Sequence, residues 1–103
     1  KEYNYPPFCR LIKLLVRGID REIVEKKSFE IAEFLNSFKH IDFEILGPAP
    51  APIEKIANNF RHHIIIKTKN INKINEIIFK TREKFGFQNN FYLEIDVDPI
   101  SIL

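Results

Sequence analysis

Three prolines, spaced two residues apart, constrain the middle of this chain more than any other feature of its sequence. They lie within the run Gly47-Pro48-Ala49-Pro50-Ala51-Pro52. Proline fixes its own φ near the polyproline value and pushes the residue before it into extended conformations. The run therefore cannot be helical. We interpret it as a short, rigid loop that either forms a recognition surface or connects two strands.

The composition indicates a single domain. The chain has 103 residues, 45% of them apolar, which is enough for one core and not for two. It contains no methionine and begins at Lys1, so we expect it to be a piece of a longer polypeptide. No apolar stretch is long enough to span a membrane, and a single cysteine, Cys9, excludes an internal disulfide. These features predict a cytoplasmic protein.

Hydrophobic periodicity predicts the element order βαββαβ. Alternating or continuous apolar residues predict strands at 10–17, 43–46, 60–69 and 91–98. Apolar residues three and four positions apart predict helices at 21–39, with Asp20 as the N-cap, and from about 71 to Gly86. This order is typical of the ferredoxin-like or split βαβ fold, an α+β domain. We expect a four-stranded mixed sheet with both helices on one face.

The face of the sheet away from the helices is predicted to be open and charged. It would carry Lys13, Arg17, Arg61, His63, Lys67, Tyr92, Glu94 and Asp96. The net charge of the chain is only +2, but positions 61 to 84 hold seven basic residues against two acidic ones. Such an uneven distribution can steer an anionic partner, although solvated helices also carry many charges. The charge pattern alone fits both a binding platform and a solvated surface.

The sequence contains no convincing catalytic or metal site. With only three glycines, it has no glycine-rich loop for a nucleotide triphosphate. His62 and His63 are adjacent on a predicted strand and so point to opposite faces, which argues against a shared zinc ion. Asp96 and Asp98 share one face of the last strand, but an ion pair with Lys13 explains them better than acid–base chemistry does. We therefore expect no enzymatic activity from the isolated domain.

Four segments together carry a resemblance to a known family. They are Tyr5-Pro6-Pro7-Phe8, Leu46 to Pro52 with Lys55-Ile56, Phe60-Arg61 and Asp96-Val97-Asp98-Pro99. In order and spacing they resemble the C-terminal domain of the bacterial primosomal replication-restart helicases (PriA, or primosomal protein N′), over essentially the whole chain. Ala57 and Asn58 depart from the family, which usually has a basic residue and a glycine there. Asparagine tolerates positive φ, so the turn can still form.

The resemblance implies that residues 1–103 are the C-terminal domain of an ATP-dependent 3′–5′ DNA helicase that restarts replication at stalled forks. Its fold would be similar to that of a ribosomal small-subunit protein. ATP and zinc would bind in the rest of the protein, and no cofactor is expected in this domain. The implied partners are single-stranded or forked DNA, the acidic tail of single-stranded DNA-binding protein, other primosome proteins and the helicase core of the same chain, with no membrane partner.

Two functions remain open at this point. In the first, the domain binds DNA and protein partners. Phosphates or tail carboxylates would then contact Arg61, Lys67, Lys69 and Lys73, and bases would stack on Phe60 or Tyr92. In the alternative, the domain is a structural packing module whose proline run docks on the helicase core without direct DNA contact.

Overall fold

The protein forms a four-stranded sheet with two helices on one face. The computed structural model describes residues 10–38, 42–86 and 90–97. The elements are β1 (Arg10–Gly18), α1 (Arg21–Asn36), β2 (Glu44–Ile56), β3 (Asn59–Thr68), α2 (Ile71–Phe85) and β4 (Tyr92–Val97). The strand order in the sheet is β2-β3-β1-β4. The predicted element order and the ferredoxin-like α+β fold are therefore confirmed.

The sheet is antiparallel rather than mixed. All three neighbouring pairs, β1 with β3, β1 with β4 and β2 with β3, run in opposite directions. Each helix connects two strands that run in the same direction. Those two strands are not neighbours in the sheet, because an antiparallel strand lies between them. β3 separates β1 from β2, and β1 separates β3 from β4. The prediction of a mixed sheet was wrong in this detail.

Side-chain caps explain where both helices begin. The Asp20 carboxylate accepts hydrogen bonds from the backbone N–H groups of Glu22 and Ile23, at 3.0 and 3.4 Å. The Asn70 side chain accepts one from the N–H of Asn72, at 3.1 Å. Each cap satisfies donors that have no partner inside the helix. The predicted cap at Asp20 is confirmed.

The core lies between the helices and one face of the sheet. Its fully buried aliphatic side chains come from both layers: Ile12, Leu14, Val16, Ile64 and Ile66 from the strands, and Val24, Ile31, Leu35, Ile74 and Ile77 from the helices. Burying one such side chain contributes about 1.5–3 kcal/mol. The core thus fixes the register of β1, β3 and both helices.

β2 runs through the proline run, which the sequence predicted to be a loop. The strand forms one edge of the sheet, where the missing N–H groups of prolines can face away from any ladder. Its pairing with β3 shifts twice, between Leu46 and Ala49 and between Pro50 and Lys55. Gly47 lies at the first shift with a φ of 95°, and a Cβ there would stand 2.9 Å from a backbone oxygen of β3. The prolines therefore shape an irregular edge strand and do not end it.

A two-residue turn joins β2 to β3. Its central residues, Ala57 and Asn58, have φ angles of 52° and 65°. The flanking residues Ile56 and Asn59 pair with each other. Positive φ at both central positions is typical of the type I′ turn of tight hairpins. The expectation that Asn58 can support this turn is confirmed.

The sheet face away from the helices is less open than predicted. Lys67, Tyr92, Glu94 and Asp96 are exposed there. The centre of the same face is buried, with Leu15 at 5%, Ile65 at 6% and Lys13 at 8% exposure, and Arg61 towards one end is also buried, at 9%. A ligand on this side would therefore meet the two ends of the sheet and not its middle.

Three features discussed from the sequence lie outside the described residues. They are the Tyr5-Pro6-Pro7-Phe8 segment, Cys9 and Asp98. Within the described ranges, no helix is long and apolar enough to cross a bilayer.

Candidate nucleic-acid interface

The six residues predicted to bind DNA or a partner fall into two groups. Phe60, Arg61 and Tyr92 lie at one end of the sheet, where Arg17 pairs with Arg61 on one side and with Tyr92 on the other. We call Arg17, Arg61 and Tyr92 the tyrosine end. Lys67, Lys69 and Lys73 lie at the other end, where β3 finishes and α2 begins, and we call them the lysine end. Six strand residues, about 20 Å, separate Arg61 from Lys67.

The Arg61 side chain is buried and contacts the backbone of β2. Its side chain is 9% exposed, and Nη1 donates a hydrogen bond to the backbone oxygen of Ile53 at 2.7 Å. Ile53 belongs to the irregular part of β2 between Pro50 and Lys55, where several residues of β2 face only one of β3. The guanidinium therefore anchors the bulged part of β2 to β3. This position gives Arg61 a structural role in the described part of the chain.

The two predicted stacking residues lie on opposite faces of the sheet. Phe60 is on the helix side, partly buried against the core, with the Lys55 ammonium 5.0 Å from the ring centroid. Tyr92 is on the other side and is 59% exposed. The Arg17 guanidinium lies 4.6 Å from the Tyr92 ring centroid and forms an ion pair with Glu94 at 2.5 Å. Of the two rings, Tyr92 is the one that a base can reach.

The lysine end presents three exposed cations in a short stretch of chain. In the ranges that the structure describes, none of the three lysines has a carboxylate within 4.0 Å. By contrast, Lys80 on α2 pairs with Glu76 at 3.7 Å, and the Lys84 ammonium lies 5.6 Å from the Phe34 ring. The lysine end therefore differs from Lys80 and Lys84 on α2, whose ammonium groups lie close to a carboxylate or an aromatic ring.

Comparison with known proteins assigns the family. The family model described as the primosomal protein N C-terminal domain matches residues 1–100. The chain belongs to this family. It is 35% identical over its whole length to the replication restart protein PriA of Borreliella burgdorferi, and it covers 16% of that protein. It is 39% identical over 96% of its length to PriA of Synechocystis sp., covering 12% of that protein, and 26% identical over its whole length to PriA of Bacillus subtilis, covering 13%.

The family resemblance that the four sequence segments indicated is thereby confirmed. The chain spans less than a fifth of the length of the relatives it matches, and it corresponds to their C-terminal part. These relatives are replication restart proteins.

The structure shows the environment of the paired histidines, which we did not predict from the sequence. His62 is on the helix side and 3% exposed. The Nδ1 atoms of His62 and His63 are both buried and have no hydrogen-bond partner in the part of the chain that the structure describes. Burial lowers the pKa of His62 below its usual value, against the opposing effect of Glu54 and Glu25. Burial also lowers the pKa of His63, helped by the nearby charges of Lys13 and Arg61. Alternation along β3 requires one of two adjacent histidines to face the core, so the signal was present in the strand pattern.

Acidic pH is expected to destabilise the folded chain through these histidines. Because both pKa values lie below 6.5 in the fold, the unfolded chain takes up protons at a higher pH than the folded chain. The contribution of the histidines to the free energy of unfolding is therefore constant well above the ordinary histidine pKa. It falls as the pH drops through that value towards the lowered pKa values of the folded state. Urea unfolding between about pH 7.5 and pH 5 measures this loss.

The matched control is the double variant His62→Asn/His63→Asn. It removes both titrating groups, so its unfolding free energy should fall less steeply with pH than that of the native chain, whatever its absolute stability. Parallel pH profiles for the two proteins would contradict the assignment.

The described residues offer no obvious site for a metal. Among them, no three histidine, cysteine or carboxylate side chains are grouped so that they could hold an ion. Asp96, the described member of the aspartate pair, lies opposite Lys13 in the register of β1 and β4.

Proposed function

We propose that this chain is the DNA-binding C-terminal domain of a replication-restart helicase, and that its lysine end contacts the phosphates of single-stranded or forked DNA. The observation that carries the proposal is the set of three exposed lysines without acidic partners among the described residues, in a domain whose relatives are replication restart proteins. Phosphate contacts by lysine provide most of the affinity in non-specific DNA binding. Tyr92 supplies a stacking surface at the far end of the sheet.

In this proposal Arg61 and Phe60 support the site rather than touch the ligand. Arg61 holds the bulge of β2, and Phe60 packs on the core beneath Lys55. The domain itself has no catalytic role. The parent protein is proposed to be a cytoplasmic, ATP-dependent 3′–5′ helicase whose ATP and zinc sites lie in its other domains.

The same lysines also suit the carboxylates of an acidic peptide. We therefore keep the acidic tail of single-stranded DNA-binding protein, together with other primosome proteins, as proposed partners. Because both ligands would neutralise the same cations, a tail peptide should compete with an oligonucleotide for the lysine end.

Backbone amide NMR spectra of the chain, recorded during titration with single-stranded DNA, test the proposal. A thymidine strand of about 15 nucleotides is long enough for a typical single-strand site. We expect the amide signals of Lys67, Lys69 and Lys73 to shift at low salt and to return as salt is added. Shifts confined to β2, or no shifts at all, would contradict a DNA contact at the lysine end.

One observation favours the alternative of a packing module. β2 exposes an apolar ridge, in which Pro50 and Pro52 are exposed and Ile53 and Ile56 are 45% and 46% exposed. Such a ridge can dock on the helicase core of the same polypeptide. In the whole protein, Ile53→Ser would then increase proteolytic cleavage between the domains and leave DNA affinity unchanged.

A further inference from the structure

An apolar pocket opens at the tyrosine end, far from the lysine end. Its volume is about 460 Å³, and the lining residues that matter here are Ile19, Ile23, Phe91, Tyr92, Asn59 and Asn90. They come from the end of β1, the first turn of α1, the start of β3 and the start of β4. This volume falls within the usual range of small-ligand pockets.

Two large side chains at the pocket are left in solvent. Ile19, between β1 and the N-cap of α1, is 77% exposed, and Tyr92 is 59% exposed. The Tyr92 ring is held in place by Arg17, whose guanidinium lies 4.6 Å from the ring centroid. Aliphatic and aromatic surface exposed together beside a pocket is typical of a binding site.

Glycine at position 18 lets the walls of the pocket come close together. A Cβ at Gly18 would stand 3.1 Å from the backbone oxygen of Asn90 and 3.2 Å from a methyl group of Val24. Both approaches are tight, so a larger residue would push the segment of Asn90 away from β1. The absence of a side chain at Gly18 therefore helps to keep Asn90 beside the pocket.

The two asparagines add hydrogen-bonding capacity to the lining. The pocket also holds the Asp20 carboxylate, which accepts hydrogen bonds from the N–H groups of the first turn of α1. The Asn59 Nδ2 donates to the backbone oxygen of Ala57 at 3.1 Å, which leaves the side-chain oxygen available as an acceptor. Within the described part of the chain, the Asn90 side chain makes no hydrogen bond and can both donate and accept. The edge of a nucleobase can form hydrogen bonds with both groups, whereas an aliphatic or phenyl side chain of a protein partner offers them none.

We propose that this pocket binds one base of single-stranded DNA. The base stacks against Tyr92 and the aliphatic surface of Ile19 and Ile23, and its polar edge meets the amides of Asn59 and Asn90. The exposed Lys55 on β2 pairs with Phe60, the neighbour of Asn59 in the chain, and contacts an adjoining phosphate. This inference rests on the proposed DNA-binding function, and it adds a base-binding position to the phosphate contacts of the lysine end.

The test uses a thymidine oligonucleotide that carries one 2-aminopurine, a base whose fluorescence reports stacking. Binding of the native chain should change the fluorescence of this base. Tyr92→Ala should abolish the change and weaken the affinity about 5- to 100-fold, the usual effect of removing one stacking contact. Ile19→Ser should reduce both the fluorescence change and the affinity. The matched control is Phe29→Ser, which alters an apolar residue on α1 that is 54% exposed and does not line the pocket. It should bind like the native chain.

The outcomes separate this inference from the proposed function. If the oligonucleotide binds the native chain but 2-aminopurine fluorescence and the affinities of both pocket variants stay unchanged, the base pocket is refuted while DNA binding stands. That result would favour a side chain of a protein partner as the occupant of the pocket. If the oligonucleotide does not bind at low salt, both proposals fail. Circular dichroism of each variant verifies that it is folded, which both exposed positions should permit.

Discussion

Replacing Arg61 with methionine is expected to lower the free energy of unfolding by about 1.5–3 kcal/mol. Methionine keeps the aliphatic volume of the arginine but cannot donate the hydrogen bond that Nη1 makes to the oxygen of Ile53. A buried hydrogen bond from a charged donor is worth about that much, and its loss leaves a backbone oxygen without its partner. Urea unfolding at neutral pH measures the change.

The matched control is Arg82→Met, at an exposed position on α2. It should change the unfolding free energy by no more than about 0.5 kcal/mol. Amide hydrogen exchange adds a local readout, because in the Arg61→Met variant the backbone around Ile53 should exchange faster than in the native chain. Equal stability losses in the two variants would contradict the structural role of Arg61.

The triple variant Lys67→Gln/Lys69→Gln/Lys73→Gln is expected to bind single-stranded DNA at least about ten-fold more weakly at low salt. The substitutions remove three exposed cations that have no acidic partner in the described part of the chain. Each lysine that contacts a phosphate releases condensed counterions, so three contacts make a large difference to affinity. Fluorescence anisotropy of a labelled thymidine strand measures the loss.

A second triple variant controls for net charge. Lys26→Gln/Lys80→Gln/Lys84→Gln also removes three lysines, all of them exposed and none at the lysine end. If only the overall field of the protein attracted DNA, the two variants would lose the same affinity. We expect the control to lose less than about three-fold.

The sequence predicted the elements that the core determines. In β1 and β3 the apolar residues alternate or run on, and in both helices they recur every three or four positions. Burial of Ile12, Ile64 and Ile74 follows from that periodicity alone. The two faces of β4 were also correct, since Tyr92 and Glu94 are exposed and Leu93 is partly buried. The local hydrophobic pattern is sufficient to predict a helix or strand wherever one face of that element is buried.

The prediction failed for β2 because the effect of proline depends on the position of a strand in the sheet. At the edge, no neighbour requires the N–H groups that Pro48, Pro50 and Pro52 lack. Edge position follows from the strand order of the whole domain and is not encoded in the run itself. The bulge opposite Arg61 is likewise a feature of pairing between two strands, so the sequence could not show that this arginine would be buried.

The sequence indicated candidate residues for the site, and the structure shows where those residues lie. The uneven charge distribution indicated the basic residues, and alternation along the last strand indicated Tyr92. The predicted strand at 60–69 already held Arg61 and Lys67 six residues apart. Only the structure shows that Arg61 is buried and bonded to β2. The pocket beside Tyr92 escaped the sequence because its residues come from several elements that meet only in the folded domain.

The claim that this domain contacts DNA phosphates through its lysine end is tested most directly by the salt dependence of its affinity for a single strand. Each phosphate contact contributes about −0.7 to the slope of log K against log salt concentration. The native chain should therefore show a slope of about −2 or steeper between about 50 and 200 mM salt, and the Lys67→Gln/Lys69→Gln/Lys73→Gln variant a slope shallower by about 2. A native slope near zero, or one that the three substitutions leave unchanged, would contradict the claim.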